Sequence, residues 1–157
     1  MRTGFGFDAH RFSPEGSVVL AGVVVDESRG VEATSDGDVV AHAVADAVLG
    51  ACALGDLGEH FPSADDRWRD ADSMRILERV VQMAMTAGLA PTFADVTVVA
   101  ESVRITPHRA AMRVNLASCL GLLDGEVSVK ATTTDGLGWL GRDEGLAAAA
   151  VVTLRPL

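Results

Sequence analysis

The sequence predicts a mixed α/β fold, one β-sheet covered by helices on one face, and three observations predict it. Short runs at residues 2–8, 17–25, 93–100, 126–131 and 146–154, most of them rich in β-branched, aromatic or small apolar residues, read as strands. Between them lie three stretches with apolar residues at helical spacing, each followed within a few residues by a glycine. The chain has 157 residues, 48% of them hydrophobic, which suits one domain over residues 1–157 with its helices in one layer against the sheet. The last strand is alanine-rich and weakly amphipathic, so the second sheet face is expected to be buried against another copy of the chain.

Taken in order, the first strand leads into Phe5-Gly6-Phe7-Asp8-Ala9-His10. Asp8 and His10 are two apart and project from one face of an extended segment. Such a pair supplies two metal ligands, and His42 is the best third. Two imidazoles and a carboxylate suit a zinc-like ion and leave a fourth position for water or substrate, the pattern of a catalytic site. Residues 17–25 read as two short β-runs around Gly22. Gly30–Thr34 then leads to Ser35-x-x-Asp38, read as a variant capping box opening a helix from about Asp36 to Ala53. Val40, Ala43, Val44, Ala47, Val48 and Ala51 form its apolar side, while Asp38, His42 and Asp46 share an acidic one. Asp46 there is either a partner of the metal site or a solvated acid.

Gly55-Asp56-Leu57-Gly58 ends that helix, and its glycines let a ligand approach the backbone. Phe61-Pro62-Ser63-Ala64-Asp65 continues as loop. Asp72 or Ser73 caps a second helix, with Met74, Leu77, Val80, Val81 and Met85 as its buried stripe and Gly88 as its stop. After the strand Phe93–Ala100, the loop Glu101–Thr106 carries Arg104, and Pro107 opens a third helix running to about Leu120. Lys130, the only lysine, precedes Ala131-Thr132-Thr133-Thr134-Asp135-Gly136, which reads either as a phosphate cradle of hydroxyls, backbone N–H groups and one cation or as a Thr-rich strand edge. Gly136-x-Gly138-x-x-Gly141 matches a dinucleotide fingerprint literally, but a final strand follows it and the required helix, second strand and distant acid do not. Its glycines instead shape a tight ligand-facing loop carrying Arg142 and Glu144.

The formal net charge of −9 excludes nucleic acid or an anionic membrane as the main partner. No apolar run is long enough to span a bilayer, and the first ten residues do not read as a signal peptide. Cys52 and Cys119 form no CxxC pair and read as buried free thiols of a reducing compartment, the cytoplasm.

Several of these segments, in this order, resemble the 2-C-methyl-D-erythritol 2,4-cyclodiphosphate synthase family of the non-mevalonate isoprenoid pathway. They are Gly6-Phe7-Asp8-Ala9-His10, Ser35-Asp36-Gly37-Asp38 with His42, Gly55-Asp56-Leu57-Gly58, Phe61-Pro62 with Asp65, Pro107-His108, Lys130-Ala131-Thr132-Thr133-Thr134, and Gly141-Arg142 with Glu144-Gly145. The resemblance implies a homotrimer of ferredoxin-like subunits with active sites at the subunit interfaces. It implies intramolecular phosphoryl transfer, in which the 2-phosphate of a cytidine diphosphate substrate attacks the β-phosphate, closes a cyclic diphosphate and expels CMP. By position, Asp8, His10 and His42 would bind Zn²⁺. A second ion, Mg²⁺ or Mn²⁺, would bridge the substrate diphosphate near Asp135.

The same resemblance assigns Asp56 and Gly58 to the ribose and Ala100, Glu101, Ser102, Val103, Arg104, Ile105 and Thr106 to the cytosine pocket, with Arg104 near the phosphates. Thr132 and Thr133 would reach the diphosphate from the neighbouring subunit. Ser35, Leu57, Phe61, Pro62, Ser63, Ala64, Asp65 and Thr134 fall among the substrate contacts, and Thr133, Thr34 and Asp135 take the catalytic positions. Family trimers also enclose an apolar cavity that holds prenyl diphosphates, matched here by Phe7, Trp139 and Arg142. Three positions depart from the family: Asp135 for a glutamate, Leu140 for a threonine and Thr34 for a histidine. The competing reading is a nucleotide- or prenyl-diphosphate-binding trimer of weakened catalysis. A zinc hydrolase ranks last, for want of a general base placed for water.

Overall fold

The computed structural model describes residues 1–157. Strand β1 (Arg2–Ser13) runs five residues beyond the expected 2–8, so Asp8 and His10 both lie inside it. A hairpin of β2 (Val18–Leu20) and β3 (Val23–Asp26) turns at Ala21 and Gly22, both at positive φ. The two-residue β4 (Gly30–Val31), not foreseen in the sequence, pairs with the end of β1.

Helix α1 (Val39–Cys52) starts later than expected, because its cap is Asp38 and not Ser35. The Asp38 carboxylate accepts from Val40 N at 3.1 Å and Ala41 N at 3.0 Å, and also from Gly22 N at 2.8 Å. It is wholly buried, so the acidic side shared by Asp38, His42 and Asp46 begins inside the core. Burial pushes its carboxyl up to about 6, against the pull of those N–H donors. A short α2 (Leu57–His60), capped by Asp56, and a 3₁₀ turn at Asp66–Trp68 follow.

In α3 (Ser73–Thr86) the cap is Asp72, and the buried side is Ser73, Ile76, Leu77, Val80, Val81 and Ala84. Met85, expected in that stripe, is exposed, since it lies off the 3.6-residue line that joins Leu77, Val81 and Ala84. Strand β5 (Leu89–Val99) leads through a 3₁₀ turn at Thr106–His108 into α4 (Arg109–Leu120), which ends at Gly121 with φ 69°. Strand β6 (Val127–Thr132), the single turn α5 (Gly138–Gly141) and strand β7 (Gly145–Pro156) complete the chain.

The main sheet has the order β4-β1-β7-β5-β6, antiparallel except for the parallel pair β5–β6 joined across α4. The long elements therefore run β-α-α-β-α-β-β, two helices standing between β1 and β5. A ferredoxin-like unit runs β-α-β-β-α-β, so the expected mixed sheet is present but its connectivity is different. The cause is the last pair: β7 returns to the centre of the sheet and separates β1 from β5.

Helix α1 lies directly against β1 because two glycines remove the side chains between them. A Cβ at Gly4 would fall 1.9 Å from the Ala47 carbonyl oxygen, and one at Gly6 2.0 Å from that of Ala43. The opposite face carries Phe5, Phe7, Phe93 and Val151, all exposed in the single chain. Cys52 and Cys119 are free, as expected, and burial pushes the Cys119 thiol up to about 12, so it stays protonated. No helix is long and apolar enough to cross a membrane.

Candidate active site

Asp8 and His10 share the β1 face of Gly4 and Gly6, the face under α1, and α1 brings His42 to them in its first turn. One ligand atom from each of the three lies within 4.8 Å of the others. Asp8 Oδ2 is 2.9 Å from His42 Nδ1 and 3.2 Å from His10 Nε2. Burial alone would raise the Asp8 pKa, but the neighbouring imidazoles of His10 and His42 outweigh it and hold the carboxylate far below its usual range. Burial likewise disfavours charged His42, and the hydrogen bond and charge of Asp8 overcome this and raise its pKa. His10 Nε2 is shielded from solvent and has no hydrogen-bond partner. A buried nitrogen lone pair facing a carboxylate and a second imidazole is the donor set of a divalent cation, so the residues present fit a metal.

The triad lies on a cavity of about 350 Å³. Of the residues singled out in the sequence, Thr34, Ser35, Leu57, Gly58, Phe61 and Ser63 also line it. Asp46 lines it too, accepting from Leu57 N at 2.8 Å, which ties the start of α2 to α1. Trp68 and Ile76, given no role in the sequence, close one side, with Trp68 against Phe61 at 4.8 Å between ring centroids. Asp56, Pro62, Ala64 and Asp65 are not in the lining. Asp56 caps α2, and Asp65 caps the following 3₁₀ turn and pairs with Arg67.

A second cavity, about 530 Å³, is lined by the whole of Ala100–Pro107 together with Ala131, Thr132 and Thr133. Its loop is held by a residue given no role in the sequence. Arg29 stacks on Phe12 at 3.7 Å, pairs with Asp143 at 2.7 Å and donates to Ser102, whose hydroxyl donates to Asp143 at 2.8 Å. Asp135, at φ 52°, donates its N–H to Thr133 Oγ1 at 3.2 Å, and Thr134 Oγ1 donates to the Leu137 carbonyl. Trp139 and Arg142 line neither cavity, and Arg142 pairs with Glu144 at 2.6 Å. Lys130 does not serve a cradle here, since its ammonium bonds Asp95 at 2.7 Å across the β5–β6 pair. The two cavities share no residue. Asp8 on β1 and Thr132 on β6 are separated by three inter-strand steps, about 14 Å.

Known proteins resemble this chain along nearly its whole length. A 2-C-methyl-D-erythritol 2,4-cyclodiphosphate synthase of Salinibacter ruber is 51% identical over 155 residues, covering 99% of either chain. One of Marinobacter nauticus is 50% identical over 98% of this chain and 97% of its own. The bifunctional IspDF of Campylobacter jejuni matches with a TM-score of 0.96 and 40% identity, over 99% of this chain and 42% of that longer one. A CDP-bound 2C-methyl-D-erythritol-2,4-cyclodiphosphate synthase matches with a TM-score of 0.90 and 31% identity, over 98% and 100%. The family model described as the YgbB family matches residues 1–155, and the chain belongs to that family.

Proposed function

We propose that this chain, as a single domain over residues 1–157, converts 4-diphosphocytidyl-2-C-methyl-D-erythritol 2-phosphate to 2-C-methyl-D-erythritol 2,4-cyclodiphosphate, releasing CMP. The observation that carries this reading is the Asp8–His10–His42 triad, with His10 Nε2 unpartnered, on the wall of a cavity of about 350 Å³. Relatives that bear this activity in their names match the chain almost end to end.

Asp8, His10 and His42 would hold Zn²⁺, which supplies Lewis-acid polarisation of a phosphoryl oxygen. Beside them, the Thr34 and Ser35 hydroxyls orient the attacking phosphate, with Leu57, Gly58, Phe61 and Ser63 as the surrounding wall and Asp56 next to them. The attacking phosphate is already anionic, so no general base is required, and the remaining work is positioning and charge neutralisation. The loop Ala100–Thr106 takes the cytosine, and Thr132 and Thr133 donate to the diphosphate. Asp135 would help to hold a second ion, Mg²⁺ or Mn²⁺, which would supply charge neutralisation of that diphosphate.

Because about 14 Å of sheet separates the two groups of residues, one phosphate cannot touch both within a single chain. Each complete site is therefore assembled from two copies, in a homotrimer that buries the open sheet face with Phe5, Phe7, Phe93 and Val151. A central cavity bounded by Phe7, Trp139 and Arg142 is the place for a prenyl diphosphate. A soluble phosphorylated substrate and two free thiols suit the cytoplasm.

The test is to incubate the protein with the substrate, Zn²⁺ and Mg²⁺ and follow the phosphates by ³¹P NMR. CMP and the cyclic diphosphate should appear together, and His42→Ala should form neither. CMP released with a linear product, or turnover unchanged in His42→Ala, would overturn the reading.

A further inference from the structure

Ser73 is the first residue of α3 and is 1% exposed, yet its hydroxyl is not used to cap that helix. Asp72 does the capping, accepting from Met74 N at 2.9 Å. Ser73 Oγ instead lies between a carboxylate and a metal-ligand candidate. It donates to Asp36 Oδ1 and lies 2.8 Å from His42 Nε2. Resting on the metal reading above, we propose that Ser73 is a positioning residue for His42. Its hydroxyl, committed to Asp36, fixes the imidazole proton on Nε2 and turns the Nδ1 lone pair toward Asp8 and His10.

The argument is one of donor counting. A serine hydroxyl has one proton and two lone pairs. The Asp36 carboxylate has only lone pairs to offer, so the Ser73 proton goes to it, and Oγ can then only accept from His42. Asp36 is itself fixed. It accepts from Ser73 N at 3.0 Å and Asp38 N at 3.1 Å, and its own N–H donates to the Ala71 carbonyl at 3.1 Å. The order Asp36–Ser73–His42 thus ties the loop before α1, the start of α3 and the ligand-bearing turn of α1 into one unit. Nδ1 is the nitrogen left to ligate: it lies 2.9 Å from Asp8 Oδ2, to which it donates until a bound cation displaces that proton. Ser35 Oγ also approaches His42 Nε2, but at 3.2 Å, and it lines the cavity, where a ligand competes for it.

The test measures zinc dissociation constants by chelator competition for the parent, Ser73→Ala, Asp36→Asn and Ser35→Ala, with circular dichroism to confirm folding. It also reads the His42 ¹⁵N shifts of each zinc-loaded protein. Loss of a group that orients a metal ligand typically weakens the metal about 10- to 100-fold. That loss is expected in Ser73→Ala, with a change of less than about threefold in Ser35→Ala. In the parent, the shifts should show the proton on Nε2. Folded Ser73→Ala that binds zinc within about twofold of the parent overturns the proposal, as does a parent whose His42 carries its proton on Nδ1. Should Ser73→Ala not fold, Asp36→Asn decides by the same measures, because its amide can donate to Ser73 and free the hydroxyl proton to face His42. A parent that binds no zinc would overturn the metal reading itself, an outcome distinct from the others.

Discussion

Replacing Gly6 by alanine should damage the metal site through the backbone. The added methyl carbon would stand 2.0 Å from the Ala43 carbonyl oxygen and 2.8 Å from Ala47 N. An ordinary C···O contact is about 3.4 Å, so α1 must retreat from β1 by roughly 1.4 Å or the strand must bend. Both clashing groups are backbone, and no side chain can swing aside. Overpacking of this kind costs about 1–3 kcal/mol, which for a chain of this size lowers Tm by roughly 2–12 °C. The larger effect is on ligation. Ala43 adjoins His42, and metal sites tolerate ligand displacements of only about 0.2 Å. Gly6→Ala should therefore lose Tm and zinc together, read by thermal denaturation and by metal analysis of the purified protein. Gly4→Ala meets an equally close oxygen, that of Ala47, one helical turn further from His42. It should lose similar Tm and keep more zinc. Parent-like Tm and full zinc in Gly6→Ala would refute the idea that these glycines set the ligand distances.

Thr133→Ala should lower kcat about 100- to 1,000-fold with little change in CDP affinity, as expected for a donor acting mainly on developing charge. Equal losses in both would make Thr133 a plain binding residue. Thr34→His should raise kcat and add an ionisation near neutral pH, because threonine supplies a hydroxyl but never a charge. A fall in kcat would show that other donors have taken over. The buried Asp38 gives a pH prediction. Its folded pKa, about 6, lies above the ordinary 3.8, so its contribution to stability is full below pH 3.8 and is lost as pH rises to 6. Urea titrations should therefore show the parent losing stability relative to Asp38→Asn by up to about 1.4 kcal/mol per pH unit in that window. Parallel profiles would mean that the carboxylate is ionised throughout.

The metal triad was legible because a strand's two-residue period puts Asp8 and His10 on one face, and His42 was the nearest imidazole on a helix. The cap of α1 was not. Ser35 and Asp38 both have capping side chains, and the choice depends on Gly22 N, sixteen residues away in sequence. Ser73 was legible only as a helix start. Its bonds to Asp36 and His42 span 37 and 31 residues, and no local pattern encodes them. The Arg29 clamp on Ser102 and Asp143 spans 73 and 114 residues and was invisible for the same reason. Strand order was hidden likewise, since the pairing of Arg2 with Leu154 joins the two ends of the chain. The ferredoxin-like connectivity came from the resemblance, and the path of β7 contradicts it.

The separation of the two cavities on one chain has a genetic consequence. If the metal half of one subunit works with the Thr133 half of the next, inactivity becomes a property of pairs of subunits. Two dead proteins, His42→Ala and Thr133→Ala, would then rescue each other when unfolded and refolded together. A working site needs an intact metal half followed by an intact hydroxyl half. Random mixing of equal amounts in closed rings therefore returns about a quarter of the parent's sites. Each mutation should also be recessive in a cell that makes both alleles. Mixtures that stay inactive would place both halves of the site in the same chain.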